Sequence, residues 1–175
     1  MGFARRDPCA LADVDCLQRL LTAYSRAVDR RDFALLRRLY DDEAEECHGE
    51  MFTGGPDAYV AFVRDALSRY DATVHYVVQT QFALDGDRAE GEVHKLNWHR
   101  HHDGRIVLTS SRSLDHYLRR DGTWRFYRRT TVLDWARHLQ ADPGAEVDFA
   151  AGSPPGQAGP GDPSFGVLPL LAAMK

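Results

Sequence analysis

Asp29 and His75 are the two side chains of this sequence best suited to work together as a base. A carboxylate bonded to an imidazole orients the ring, fixes its tautomer and stabilises the imidazolium formed when the other nitrogen takes a proton. A base positioned in this way contributes about 10²–10⁴ in rate. Each residue also has a plainer reading. Asp29 falls in the last turn of a first helix, among Arg26, Arg30 and Arg31, where a solvated charge is the ordinary outcome. The helix dipole there disfavours an acid by about 0.3–1 kcal/mol. His75 stands early in Thr73-Val74-His75-Tyr76-Val77-Val78-Gln79, and alternation puts it on one face with Val77 and Gln79. An isolated histidine in that place is most simply a partly buried ring bonded to a backbone carbonyl.

Other candidates surround this pair. Tyr24 completes an apolar helical stripe, so packing and catalysis suit it equally. Arg129 alternates with Arg128, which sends one of the two to solvent. His94, His99, His101 and His102 invite a metal reading, but His94 and His99 face opposite sides of a strand and the other two flank a turn. Zinc needs three or four convergent ligands, so a solvated hairpin end is the better account. His48, Glu92, Lys95, Asn97, Asp115 and His116 are polar residues on predicted strands, and bulges prevent alternation from sorting which of them face inward. No GxGxxG, P-loop or GxSxG elbow is present.

Two kinds of element must position these residues. In the first half, Val14, Leu17, Leu21, Tyr24 and Val28 form one helical stripe, with Asp13 and Asp15 near its start. A second helix follows Asp32 as N-cap, and a third opens at Gly54-Gly55-Pro56 and carries Val60, Val63, Leu67 and Tyr70. In the second half, residues 74–84, 89–101, 106–119 and 124–135 read as strands separated by Asp85-Gly86, Asp103-Gly104 and Asp121-Gly122. Each Asp-Gly predicts a type I′ hairpin, and three hairpins make a four-stranded antiparallel meander. A short strand is expected within 43–52. Helices followed by a long curved sheet give an α+β layout over residues 1–140. A Gly/Pro-rich tail, 141–175, forms no regular element from Asp142 to Gly166 and then turns apolar enough to dock over a pocket or a neighbouring subunit.

Composition narrows the function. The 175 residues are 43% hydrophobic and 27% charged with a net charge of −4, which suits one globular domain and argues against nucleic acid as a partner. No apolar run reaches the roughly 18–20 residues needed to cross a bilayer, and no secretory signal follows the first residues. Cys9, Cys16 and Cys47 lack metal or disulfide spacing; the first two, seven apart, read as small buried residues in a reducing cytoplasm. Lys95 and Lys175 are the only lysines among many arginines, a composition that suits a GC-rich bacterial genome.

Taken in order, Tyr24-x4-Asp29-x2-Asp32, Gly54-Gly55, Thr73-Val74-His75-Tyr76, then Asp121-Gly122-Thr123-Trp124-Arg125-Phe126 and Arg129 resemble the SnoaL-like superfamily over residues 10–138. The likeness is to its scytalone dehydratase, lindane dehydrochlorinase and bile-acid dehydratase branch, of the nuclear transport factor two-like fold. The resemblance implies a cone-shaped α+β barrel, helices packed on a strongly curved, mostly antiparallel sheet, and usually a homodimer or homotrimer. It implies a catalytic dyad at Asp29 and His75, a polarising tyrosine at Tyr24 and a pocket-lining arginine at Arg129. Gln79 stands where many members carry Asn, so the pocket's shape is expected to differ there. The activity so implied is a cofactor-independent dehydratase-type lyase acting on a small apolar hydroxy or carbonyl compound, in secondary metabolism. A polyketide-type cyclase, an isomerase and a non-catalytic binding or structural subunit are the alternatives on the same fold.

Overall fold

The computed structural model describes residues 7–140 and 154–172. Helix α1 runs Pro8–Asp29, starting well before Val14. Asp7 caps it by accepting from the Ala10 amide at 2.9 Å, and Pro8 stands in its first turn, where its missing N–H costs nothing. Asp13 therefore lies inside the helix, where it accepts from Trp124 Nε1 and Arg119 Nη1, each at 2.8 Å. Cys9 and Cys16 are exposed rather than buried. Both sit about 80–100° around α1 from Leu17, off the stripe that faces the core.

Helix α2, Phe33–Arg38, begins at the expected Asp32 cap, and α3, Pro56–Leu67, has Pro56 in its first turn. Tyr70 opens a strand instead of closing α3. Between these helices lie β1, Tyr40–Cys47, a 3₁₀ turn, Gly49–Met51, and β2, Thr53–Gly54. The long strands are β3, Tyr70–Asp85; β4, Arg88–His101; β5, Ile106–Arg120; and β6, Thr123–Leu139. They form the expected meander, and β1 joins β6 in parallel, giving one open sheet in the order β2-β1-β6-β5-β4-β3. The fold is thus an α+β cone whose mixed sheet does not close.

The turns differ in detail from the sequence reading. Asp121 and Gly122 both have positive φ, 52° and 72°, as a type I′ turn requires. At the first hairpin the turn is Gly86-Asp87, and of its two residues only Gly86 is in the left-handed region. The second connection, between β4 and β5, is a longer loop, 102–105, with Gly104 at φ 84°.

Register shifts fall at Asp71 and Val78 in β3 and at Tyr127 and Asp134 in β6, where one extra residue bends the strand. The bent sheet closes over α1 and α3. Leu17, Leu21, Val28, Tyr59, Val63, Tyr117 and Phe126 make the core between them. Residues 154–172 end in two short helices, α4, Pro163–Val167, and α5, Pro169–Ala172, where the sequence reading expected no regular element before Gly166. This segment rests on α1: Asp162 meets Arg30 Nε at 3.2 Å, and Arg26 donates to Ser164 Oγ at 3.1 Å with its guanidinium 5.1 Å from the Phe165 ring centre. Residues 141–153, the start of the expected tail, lie outside the described residues. Among the described residues no helix is long and apolar enough to cross a membrane.

Candidate active site

The end of α1 meets the beginning of β3 across a turn built on Arg31. Arg31 adopts φ 57°, and its guanidinium donates to the Val28 carbonyl at 2.9 Å and to Thr73 Oγ1 at 3.0 Å. Burial pulls its pKa below the usual value, while the Asp29 charge nearby opposes that fall. Thr73, in turn, donates to Asp29 Oδ1 at 2.9 Å. The backbone amide of His75 donates to Asp29 Oδ2 at 3.0 Å, and His75 Nδ1 meets Oδ1 at 2.6 Å. Asp29 is thus a buried carboxylate, 8% exposed, holding three donors. An ionised carboxylate only accepts, so Nδ1 carries the proton and the lone pair is left on Nε2. That is the tautomer a general base needs.

His99 completes this corner, where the sequence reading groups it with His94, His101 and His102 at a solvated hairpin end. It lies directly across from Thr73 in the β3–β4 register, with its ring edge-on to His75 at 5.2 Å and 5.0 Å from Tyr70. Burial, then the neighbouring His75, push its pKa down to about 4, so it stays neutral at pH 7. A second positive charge is thereby kept away from the base. Alternation from Val93 along β4 would have put His99 on the inner face.

The remaining candidates separate. Tyr24 is on another side of α1, its hydroxyl 2.5 Å from that of Tyr59, and burial raises its pKa to about 12. Five residues of helix place it about 7.5 Å along the axis from Asp29, and no hydrogen bond joins it to the pair among the described residues. Arg129 is buried under Tyr24 and Phe126 and pairs bidentately with Asp115, at 2.8 and 3.0 Å. Gln79 does not reach the site. The shift at Val78 moves it opposite His94, and it is exposed. Alternation from His75 fails at that one residue.

Deeper in the cone the sheet's inner face is polar. Tyr117 donates to Asp115 at 2.7 Å, and Tyr40 donates to Glu46 at 2.6 Å, with His48 2.9 Å from the same carboxylate. Lys95 donates to Ser113 at 2.6 Å, and Asn97 to Thr109 and Ser111, both at 3.0 Å. A separate open cleft of about 1050 Å³ lies at the far end of the sheet, lined by Leu84, Arg88, Glu90, His116, Leu118 and Arg128. Its lining residue Leu84 lies nine residues along β3 from His75, roughly 30 Å. In its lining Arg128 pairs with Glu45 at 2.9 Å, and His116 Nδ1 lies 3.5 Å from Glu90.

A bent mixed sheet closed by helices, with a carboxylate–imidazole pair at the seam, defines an α+β cone of the nuclear transport factor two-like class. The chain belongs to the SnoaL-like domain family, whose model matches residues 10–130. Among solved structures it is similar to LinA, with 25% identity and a TM-score of 0.70 over 77% of this chain and 97% of that one. It is similar to the hexachlorocyclohexane dehydrochlorinase LinA-type3 of Novosphingobium barchaimii LL02, with 22% identity and a TM-score of 0.70 over 76% and 94%. A candidate scytalone dehydratase from Novosphingobium aromaticivorans DSM 12444 is also similar, with 20% identity and a TM-score of 0.70 over 76% and 91%. No curated protein matches the chain in sequence. The last two likenesses bear on the fold alone.

Proposed function

We propose that this protein is a dehydratase-type lyase that acts on a small hydroxy-carbonyl compound by general-base catalysis. His75 Nε2 removes the proton next to the carbonyl, and Asp29 holds the ring in the Nδ1–H tautomer and balances the imidazolium. The imidazolium then returns that proton to the departing hydroxyl, which leaves as water as the double bond forms and the base is regenerated. The observation that carries the reading is the 2.6 Å contact between His75 Nδ1 and a buried Asp29 that is itself fixed by Thr73 and a backbone amide. Double-bond isomerisation would start with the same proton removal.

The test is proton exchange. A panel of small β-hydroxy ketones is incubated with the enzyme in D2O and followed by NMR. Enzyme-dependent deuterium uptake beside the carbonyl, with alkene signals following, is expected; a panel that exchanges no faster with enzyme than without it rejects the base. As part of the same proposal, the homo-oligomer packs through the sheet's outer face, where Tyr76, Leu96 and Trp135 lie in one cross-strand row and are each exposed.

A further inference from the structure

Strands β4 and β5 pair without a shift from Arg88–Leu118 to Arg100–Ile106, so their alternation is unbroken. Lys95, Asn97 and His99 share the inner face of β4, with Ser111, Ser113 and Asp115 on the inner face of β5. His75 stands directly across from Asn97, and Lys95 is its diagonal neighbour, at roughly 7–8 Å. Next along the face, Asp115 pairs with Arg129. A continuous inner lane therefore runs from the base to the buried arginine.

The hydrogen bonds of this lane do not balance. Asp115 already holds Arg129 Nε, Arg129 Nη2 and Tyr117, while Glu46 holds Tyr40 and faces His48. Among the described residues Arg129 Nη1 has no partner at all, although the side chain is only 1% exposed. Lys95, 7% exposed and carrying three donors, has Ser113 as its single hydrogen-bond partner among the described residues. The two cations also repel: after burial, the Arg129 charge is the chief influence pulling the Lys95 pKa down, to about 8, while the nearby Asp115 and Glu46 charges oppose that fall without reversing it. One acceptor is left over as well. Asn97 Nδ2 donates to Thr109 and Ser111, and Oδ1 is then buried without a donor among the described residues. Buried polar groups are ordinarily satisfied, and those left open beside a base ask for a ligand.

We infer that Lys95, Arg129 Nη1 and Asn97 Oδ1 form the anchoring end of the site and take a small hydroxy acid, with its carboxylate between the two cations and its hydroxyl on Asn97. An anion there relieves the repulsion and fills the open donors. The hydroxyl fills the open acceptor, and the rest of the molecule lies toward His75. The reaction at His75 rests on the general-base proposal; the anchoring stands on the inner lane alone.

Lys95 and Lys175 are the only lysines, so lysine-selective 13Cε labelling gives two signals, one of them a built-in control. Titration with 3-hydroxybutyrate is expected to move the Lys95 signal and leave Lys175 in place. The matched amide, 3-hydroxybutanamide, is expected to bind about tenfold more weakly or worse, because it offers no charge-assisted bond. Asn97→Leu is expected to erase the preference for 3-hydroxybutyrate over butyrate, and His75→Gln to leave the Lys95 shift intact. A Lys95 signal unmoved by the acid, or moved equally by the amide, overturns the inference even if β-hydroxy ketones exchange. A Lys95 shift without any exchange upholds it while rejecting the base.

Discussion

Asp29→Asn replaces a carboxylate that holds three donors, at 2.6, 2.9 and 3.0 Å, with a group that has one accepting oxygen. Two outcomes are open to the amide. If its oxygen stays on the His75 backbone N–H, its NH2 faces Nδ1, which must then accept. The proton moves to Nε2, the lone pair is lost from the catalytic nitrogen, and the rate falls by about 10²–10⁴. If the amide flips instead, the buried amide of His75 loses its acceptor at about 1–3 kcal/mol. At about 2–4 °C of Tm per kcal/mol for a chain of this size, melting then drops by several degrees. The assay joins deuterium exchange on the active substrate, 15N spectra of the His75 ring and a thermal melt. Loss of rate with unchanged KM and a switched tautomer is the expected result. Thr73→Val removes only one of the three donors and is expected to cost about 1 kcal/mol of stability, with far less loss of rate. A D29N protein that keeps wild-type exchange with its proton still on Nδ1 refutes the reasoning, since the carboxylate would then neither fix the ring nor support its charge.

Three further outcomes follow from the same geometry. His99, held neutral with its pKa lowered to about 4, binds fewer protons folded than unfolded between pH 6.5 and 4, so its share of stability is complete above 6.5 and is lost as pH falls toward 4. His99→Phe should flatten that part of the pH–stability curve, as read by urea unfolding at pH 7 and pH 5. Burial opposes the charge of Asp162, but Ser164, the Gln157 amide and Arg30 outweigh it and hold the pKa at about 2. Its contribution is therefore present above about pH 4 and is lost toward pH 2; Asp162→Asn should raise hydrogen exchange in 154–172 and leave exchange in β4 and β5 unchanged. A Cβ on Gly91 would meet Phe82 at 2.9 Å and Tyr117 at 3.0 Å. Gly91→Ala should thus cost about 1–3 kcal/mol by overpacking, measured by thermal melting.

Local signals carried much of this fold. The Asp32 cap, Pro56 in the first turn of α3, the strand pattern of the second half and the turn at Asp121-Gly122 each depend on neighbours within a few residues, and each is where the sequence places it. The misses have a common cause in longer range. The parallel pairing of β1 with β6 joins segments about eighty residues apart, and no local pattern encodes it. Asp29 and His75 are both visible as candidates, yet their 2.6 Å contact depends on the Arg31–Thr73 clamp that draws α1 onto β3.

The inner face shows most clearly where alternation succeeds and where it stops. Counting by twos from His75 gives Val77 and then Gln79, and the second step is wrong because β3 carries an extra residue at Val78. The same count from Val93 in β4 gives Lys95, Asn97 and His99 correctly, because β4 and β5 meet without a bulge. A buried lysine inside a strand is costly unless it is paired, and Lys95 is the only lysine of the domain in a chain that otherwise uses arginine. The sequence shows the lone lysine but leaves its face open, because a bulge anywhere along the strand would reset the parity. What parity alone leaves out is that Asp115 is already engaged by Arg129 and Tyr117, so that among the described residues Lys95 hydrogen-bonds to Ser113 and to no carboxylate, with Asp115 and Glu46 acting on it only as nearby charges.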